Sequence, residues 1–162
     1  MTKRLADPSH LGDHRPVTGR IYSVGYEGLD VTKLIRHLAT SKVTLVVDVR
    51  LNAISRKPGF SRKALSAALD EVGIAYRHEP DLGNPPENRD SFRRGDVERG
   101  RRRMLNRLDN GSSSALMRLI EDARRSRIAV LCVEREVIRC HRHVITERVT
   151  EVDPSIEVLE IL

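Results

Sequence analysis

Four side chains of this 162-residue sequence are of the types that move protons or attack electrophiles and also fall near predicted strand ends or helix starts: Asp48, Glu134, Cys140 and His141. Asp48 interrupts the nearly continuous β-branched and apolar run Val43–Val49, which reads as a strand buried on both faces. A carboxylate in such a strand needs a partner. Arg50 lies two residues on and shares the sheet face. One reading is therefore a structural Asp48–Arg50 pair; the other makes Asp48 a base or hydroxyl acceptor and Arg50 an anion clamp. Glu134 stands in the same relation to a later strand. Two carboxylates from neighbouring strands are able to share a proton or a metal, because repulsion in a dry crevice raises one pKa.

Cys140-His141-Arg142 stands at the predicted N-terminus of a helix. The positive helix end, Arg139, Arg142 and a protonated His141 would favour a thiolate there, the usual route to a reactive cysteine. The alternative is a half-buried thiol filling space under the helix. Thr146 occupies the sixth position after Cys140, so this is not a Cys-x5-Arg phosphate loop. Cys132, inside an apolar strand, reads as core. Cys132, Cys140, His141 and His143 show neither a CxxC pair nor HxxxH spacing, and no metal centre is expected from them. The chain also lacks GxGxxG, GxxxxGK[ST] and GxSxG, which excludes the common dinucleotide, P-loop and hydrolase signatures.

These residues must be positioned by the elements around them. Arg20–Val24 reads as a strand ending at Gly25. Asp30 caps a helix with Val31, Leu34, Ile35 and Leu38 on one face. Ser61 caps a second helix that Gly73 stops, and Ile74–Tyr76 is a third strand. From Pro80 to about Gly111 the pattern is a turn-rich loop and then a helix around Val97–Leu108. A helix begins near Ser112–Ser114, with Leu116, Leu119, Ile120 and Ala123 inward. It leads to a central strand at Ile128–Val133, a helix at His141–Val149 and a last strand at Ile156–Ile161. Strands alternating with helices mean a mostly parallel sheet covered on both faces: an α/β three-layer sandwich, Rossmann-like or flavodoxin-like. Residues 1–19 read as a flexible tail, and residues 20–162 as one α/β domain with an Arg-rich insert at about 84–111.

In open α/β sheets ligands bind beyond the carboxyl ends of the strands. The four ends are Gly25-Tyr26-Glu27-Gly28, Asp48-Val49-Arg50, Arg77-His78-Glu79 and Cys132-Val133-Glu134-Arg135. Either they share one site, or they are ordinary polar terminations of buried strands.

With 39% hydrophobic and 32% charged residues, the chain is too apolar for full disorder and too charged for a membrane protein. No apolar run approaches the roughly 18 residues of a spanning helix and no signal peptide is apparent, so a cytoplasmic address is expected, with reduced thiols. Twenty-nine basic against twenty-three acidic residues leave a net charge of +6, and 24 of the basic residues are Arg. The densest block, Arg89–Arg107, contains Arg101, Arg102 and Arg103. It is either a solvated face or a contact for an anionic partner such as nucleic acid. Two Phe, three Tyr and no Trp leave little material for a base-stacking platform.

The chain resembles the prokaryotic family called domain of unknown function 488 over about Ile21–Val149. The resemblance is carried by Ser23-Val24-Gly25-Tyr26, by Val47-Asp48-Val49-Arg50 with Ser55-Arg56 and Phe60, and by Tyr76-Arg77-His78 with Leu82-Gly83. Leu131-Cys132-Val133-Glu134 with Cys140-His141-Arg142 completes it. Tyr26 stands where that family more often has a small polar residue, and Asn84 where it has a second Gly. The resemblance implies a compact α/β domain and a common site containing Asp48, Arg50, Glu134, Cys140, His141 and Arg142; it implies no reaction and no cofactor.

The expectation is an enzyme acting on an anionic, nucleotide-like or phosphorylated small molecule. Asp48, Glu134, Cys140 and His141 would be its catalytic groups, and Gly25, Tyr26, Arg50, Arg56, His78 and Arg142 its substrate contacts. The alternatives are a nucleic-acid or partner-binding module using Arg101, Arg102 and Arg103, and a nucleotide sensor without turnover.

Overall fold

The computed structural model describes residues 19–161. The expected tail therefore lies outside the described residues except for Gly19, which opens the first strand. The order is β1 (Gly19–Gly25), α1 (Val31–Thr40), β2 (Leu45–Asp48), α2 (Arg62–Asp70), β3 (Ala75–His78), α3 (Pro86–Arg93), α4 (Val97–Asp109), α5 (Ser113–Arg125), β4 (Arg127–Cys132), α6 (His141–Val152) and β5 (Ile156–Ile161). Single 3-10 turns at Pro80–Leu82 and Val137–Arg139 precede α3 and α6.

All five strands pair in parallel, in the order β3-β2-β4-β1-β5. Side chains alternate across the sheet, so each strand feeds two cores. Ile21, Val47, Ile128 and Val130 pack under α4, α5 and α6 with Leu108, Leu119, Ile120 and Val144. Val24, Val46, Ala129 and Leu131 pack on the other face against Leu34 and Leu38 of α1 and Leu65 and Leu69 of α2. The fold is a three-layer α/β sandwich with Rossmann- or flavodoxin-like layering.

The caps are those the sequence indicates. Asp30 accepts from the Lys33 amide at 2.8 Å and Ser61 from the Ala64 amide at 3.4 Å. Such caps are worth about 1 kcal/mol each. The region from Pro80 to Gly111 departs from the expected loop, because Pro86–Arg93 is helical. Pro86 sits in its first turn, where a missing N–H costs nothing, and its inward face is Asn88, Ser91 and Phe92. Two of those three are polar, which hid the helical period.

The connections create the crevice. β1 and β2 lead to the helices on one face, whereas β4 leads through residues 133–140 to α6 on the other. Loops that part in this way leave an opening at the carboxyl ends of adjacent strands.

Candidate functional site

A cleft of about 550 Å³ opens at that edge. The segment after β1 contributes Glu27, the loop after β2 Arg50–Asn52 and Ile54, and the β4–α6 connection Cys132–Glu134, Glu136 and Arg139–His141. Asn84 before α3 and Arg89, Phe92 and Arg93 of α3 complete the lining.

Two glycines let these loops approach. A β-carbon on Gly25 would lie 1.9 Å from the Glu134 carbonyl oxygen, and one on Gly83 would lie 2.6 Å from the Leu51 α-carbon. Neither has room for a side chain. Arg142, buried in the first turn of α6, fixes the same connection. Its Nε donates to Ser23 Oγ at 2.9 Å, its Nη1 to the Glu134 carbonyl and its Nη2 to the Arg135 carbonyl at 3.2 Å. Gly25 and Arg142, expected as substrate contacts, thus shape the wall of the cleft.

Asp48 and Arg50 form the structural pair. Arg50 Nε and Nη2 reach the two Asp48 carboxylate oxygens at 2.8 and 2.5 Å. The remaining Arg50 nitrogen, Nη1, donates to the Phe60 carbonyl at 2.8 Å and to Tyr26 Oη at 3.1 Å. Tyr76 Oη donates to Asp48 at 2.6 Å. Asp48 is wholly buried and does not line the cleft, and the Arg50 guanidinium is engaged inside the protein, so neither the base nor the anion-clamp role fits. Tyr26 is likewise enclosed, stacked on Phe60 with ring centroids 4.3 Å apart. Its phenol accepts from Arg50, and Lys57 lies over both rings. His78 Nε2 is 2.8 Å from the Arg50 carbonyl, behind the wall, and Arg56 is exposed on the loop before α2 and does not line the cleft.

The other expected groups do meet. His141 Nε2 lies 3.0 Å from the Val49 carbonyl, a position for an N–H donor, which leaves Nδ1 as the acceptor. That Nδ1 stands 3.8 Å from Cys132 Sγ and 3.8 Å from Cys140 Sγ. Cys132 Sγ in turn donates to Glu134 Oε2 at 3.3 Å. Burial would raise the Glu134 pKa. Its own backbone amide, the thiols of Cys132 and Cys140 and, once the ring is protonated, His141 outweigh that and hold it below the usual value. The carboxylate is thereby favoured in its ionised form, an acceptor for the thiol beside it.

Cys140 does not carry the expected reactive thiolate. Burial, together with the neighbouring Cys132 thiol, pushes its pKa well above that of a free thiol, and the opposing pull of His141 is weaker. The helix end cannot compensate for removal from water. Cys132, in turn, is part of the cluster and not merely core. Its place was readable: it is the last residue of β4 and pairs in register with Gly25, the last of β1.

The basic block divides. Arg101 pairs with Glu147 of α6 at 2.6 Å, while Arg103 donates to the Glu87 carbonyl of α3 at 3.3 Å and Arg102 is exposed. Successive residues of a helix point about 100° apart, so the triplet offers no common face. Besides Arg50, the arginines that reach the cleft are Arg89, Arg93 and Arg139, none of them expected from the sequence as a contact for the small molecule. Arg93 is exposed, Arg89 donates to the Asn84 carbonyl at 3.0 Å, and Arg139 pairs with Glu136 at 3.1 Å.

Among the described residues no helix is long and apolar enough to cross a membrane. No curated protein and no solved structure gives a significant match to the chain. A family model described as Domain of unknown function DUF488 matches residues 30–149, a span that runs from the cap of α1 through β2 and β4 to the two thiols, Glu134 and His141. Matching about three quarters of the sequence, it shows that the chain belongs to that family.

Proposed function

We propose that the protein is a cytoplasmic enzyme whose substrate is an anionic small molecule, nucleotide-like or phosphorylated, held in the cleft at the carboxyl ends of β1, β2 and β4. The observation that carries this reading is the meeting of an ionised carboxylate, an imidazole and two thiols at the bottom of a cleft whose rim holds Arg89, Arg93 and Arg139. Guanidinium groups grip phosphate or carboxylate in two places at once, and a recessed polar cluster is where chemistry on the bound molecule takes place. Glu134 serves as general base. His141, turned by Val49, fixes the geometry around it.

The test is a thermal-shift and calorimetric screen of nucleotides and phosphorylated small molecules against the wild type and an Arg93→Ala, Arg139→Ala double variant. At least one compound should raise the Tm of the wild type and not that of the double variant, and its turnover should vanish in Glu134→Gln. Equal shifts in both proteins, or none in either, would overturn the reading. Binding without product would turn the enzyme into a sensor.

A further inference from the structure

We infer that Cys132, Cys140 and His141 form a binding site for a thiophilic divalent cation of the zinc class. The two sulfurs and a ring nitrogen lie within 4.8 Å of one another, and all three residues are more than nine-tenths buried. A tetrahedral ion with bonds of about 2.3 Å to sulfur and about 2.0 Å to nitrogen holds its ligand atoms roughly 3.5 Å apart. The two sulfur–nitrogen distances of 3.8 Å are already close to that spacing.

The hydrogen bonding points the same way. A ligating histidine ordinarily donates its second ring N–H to a carbonyl or carboxylate, which fixes the tautomer and turns the free lone pair toward the metal. His141 does this with Val49. Its Nδ1 lone pair then faces two thiols, soft donors that select zinc-class ions over magnesium or calcium.

Sequence spacing did not reveal the site because its ligands come from two elements. Cys132 ends β4, and Cys140 and His141 begin α6 after a connection that Arg142 and Gly25 hold against the sheet. Three protein ligands are the arrangement of catalytic zinc sites, which keep their fourth position for water or substrate. All three ligands line the cleft, and so does Glu134, whose carboxylate is 3.3 Å from Cys132 Sγ, close enough to take a proton from a water on the bound ion. The inference rests on the proposed function only for this last point; binding of the ion stands on the ligand geometry.

Metal-free, reduced full-length protein titrated with Co²⁺ should take up one equivalent, with thiolate-to-metal charge transfer and the visible bands of a tetrahedral ion. Zn²⁺ should displace it. Absorption spectroscopy of the zinc-loaded wild type should show two sulfur scatterers at about 2.3 Å, a readout that needs no variant. Cys132→Ser and Cys140→Ser, checked for folding by circular dichroism, should each weaken Zn²⁺ by more than the roughly 100-fold that loss of an outer partner gives. The Arg93→Ala, Arg139→Ala protein should keep the full cobalt spectrum whether or not it binds nucleotides, so failure of the anion reading leaves this one standing. An octahedral spectrum without charge transfer, no sulfur around the zinc, or unchanged affinity in both cysteine variants would overturn it.

Discussion

Two polar clusters lie at the same edge of the sheet, at the ends of adjacent strands, and they are built on opposite principles. Around Asp48 every charge is answered from within: two guanidinium contacts and a phenol for the carboxylate, a carbonyl and a phenol for the rest of Arg50. Around His141 the groups are held in place but left with capacity. Two thiols share one ring nitrogen, and a carboxylate bonded to one thiol opens onto a cleft. Closure of the first makes a rigid wall. Incompleteness of the second makes it the candidate site. Burial does not separate them, since Asp48 and Cys140 are equally hidden; what separates them is whether the donors and acceptors are used up.

The comparison predicts unequal responses to substitution. Asp48→Ala should cost most, about 3–5 kcal/mol in urea unfolding, because it strands a buried guanidinium. A loss below about 1 kcal/mol would mean that Arg50 finds another partner and that the wall is not closed. Tyr76→Phe should cost less, about 1.5–3 kcal/mol, the range for a hydrogen bond to a charged group. It should also alter the alkaline limb of stability. Burial, then the Asp48 bond and charge, push the Tyr76 pKa well above its ordinary 10.0, against a weaker pull from Arg50. The stability this contributes is complete below pH 10 and is lost as pH rises from there toward the folded value, since the unfolded chain ionises first. Removal of the phenol should flatten that decline in a pH series of melting curves. Smallest of the three, Glu134→Gln should change stability by no more than about 0.5 kcal/mol, because the amide keeps an acceptor for the Glu134 backbone and for Cys132. A large loss there would move Glu134 into the structural cluster and erase the contrast.

Much of the architecture was legible because strand and helix periods are set by the core. Val43–Val49 and Ile128–Val133 announce buried parallel strands, and Asp30 and Ser61 mark helix starts that the structure keeps. The edge at which polar groups gather was legible too. The role of each group there was not. Asp48-x-Arg50 reads alike as a pair or as a clamp until Phe60, Tyr26 and Tyr76 are seen to take the remaining bonds. Cys140 looked activated because its neighbours in sequence are cationic. Arg142, however, turns to Ser23 and two carbonyls, and Arg139 to Glu136. Arg89 and Arg93 were invisible as a rim because α3 buries polar residues and shows no apolar period.

The three-way grip of Arg142 on Ser23 and on the carbonyls of residues 134 and 135 has an entropic corollary. A connection clamped before any guest arrives has little freedom left to surrender, so affinity is not drained by ordering the backbone. Only rim side chains such as Arg93 and Arg139 have rotamers to give up, at about 0.5–1.5 kcal/mol apiece. For the ligand proposed above, association would be lock-like, with selectivity set by the shape of the recess and not by a loop that folds around its occupant.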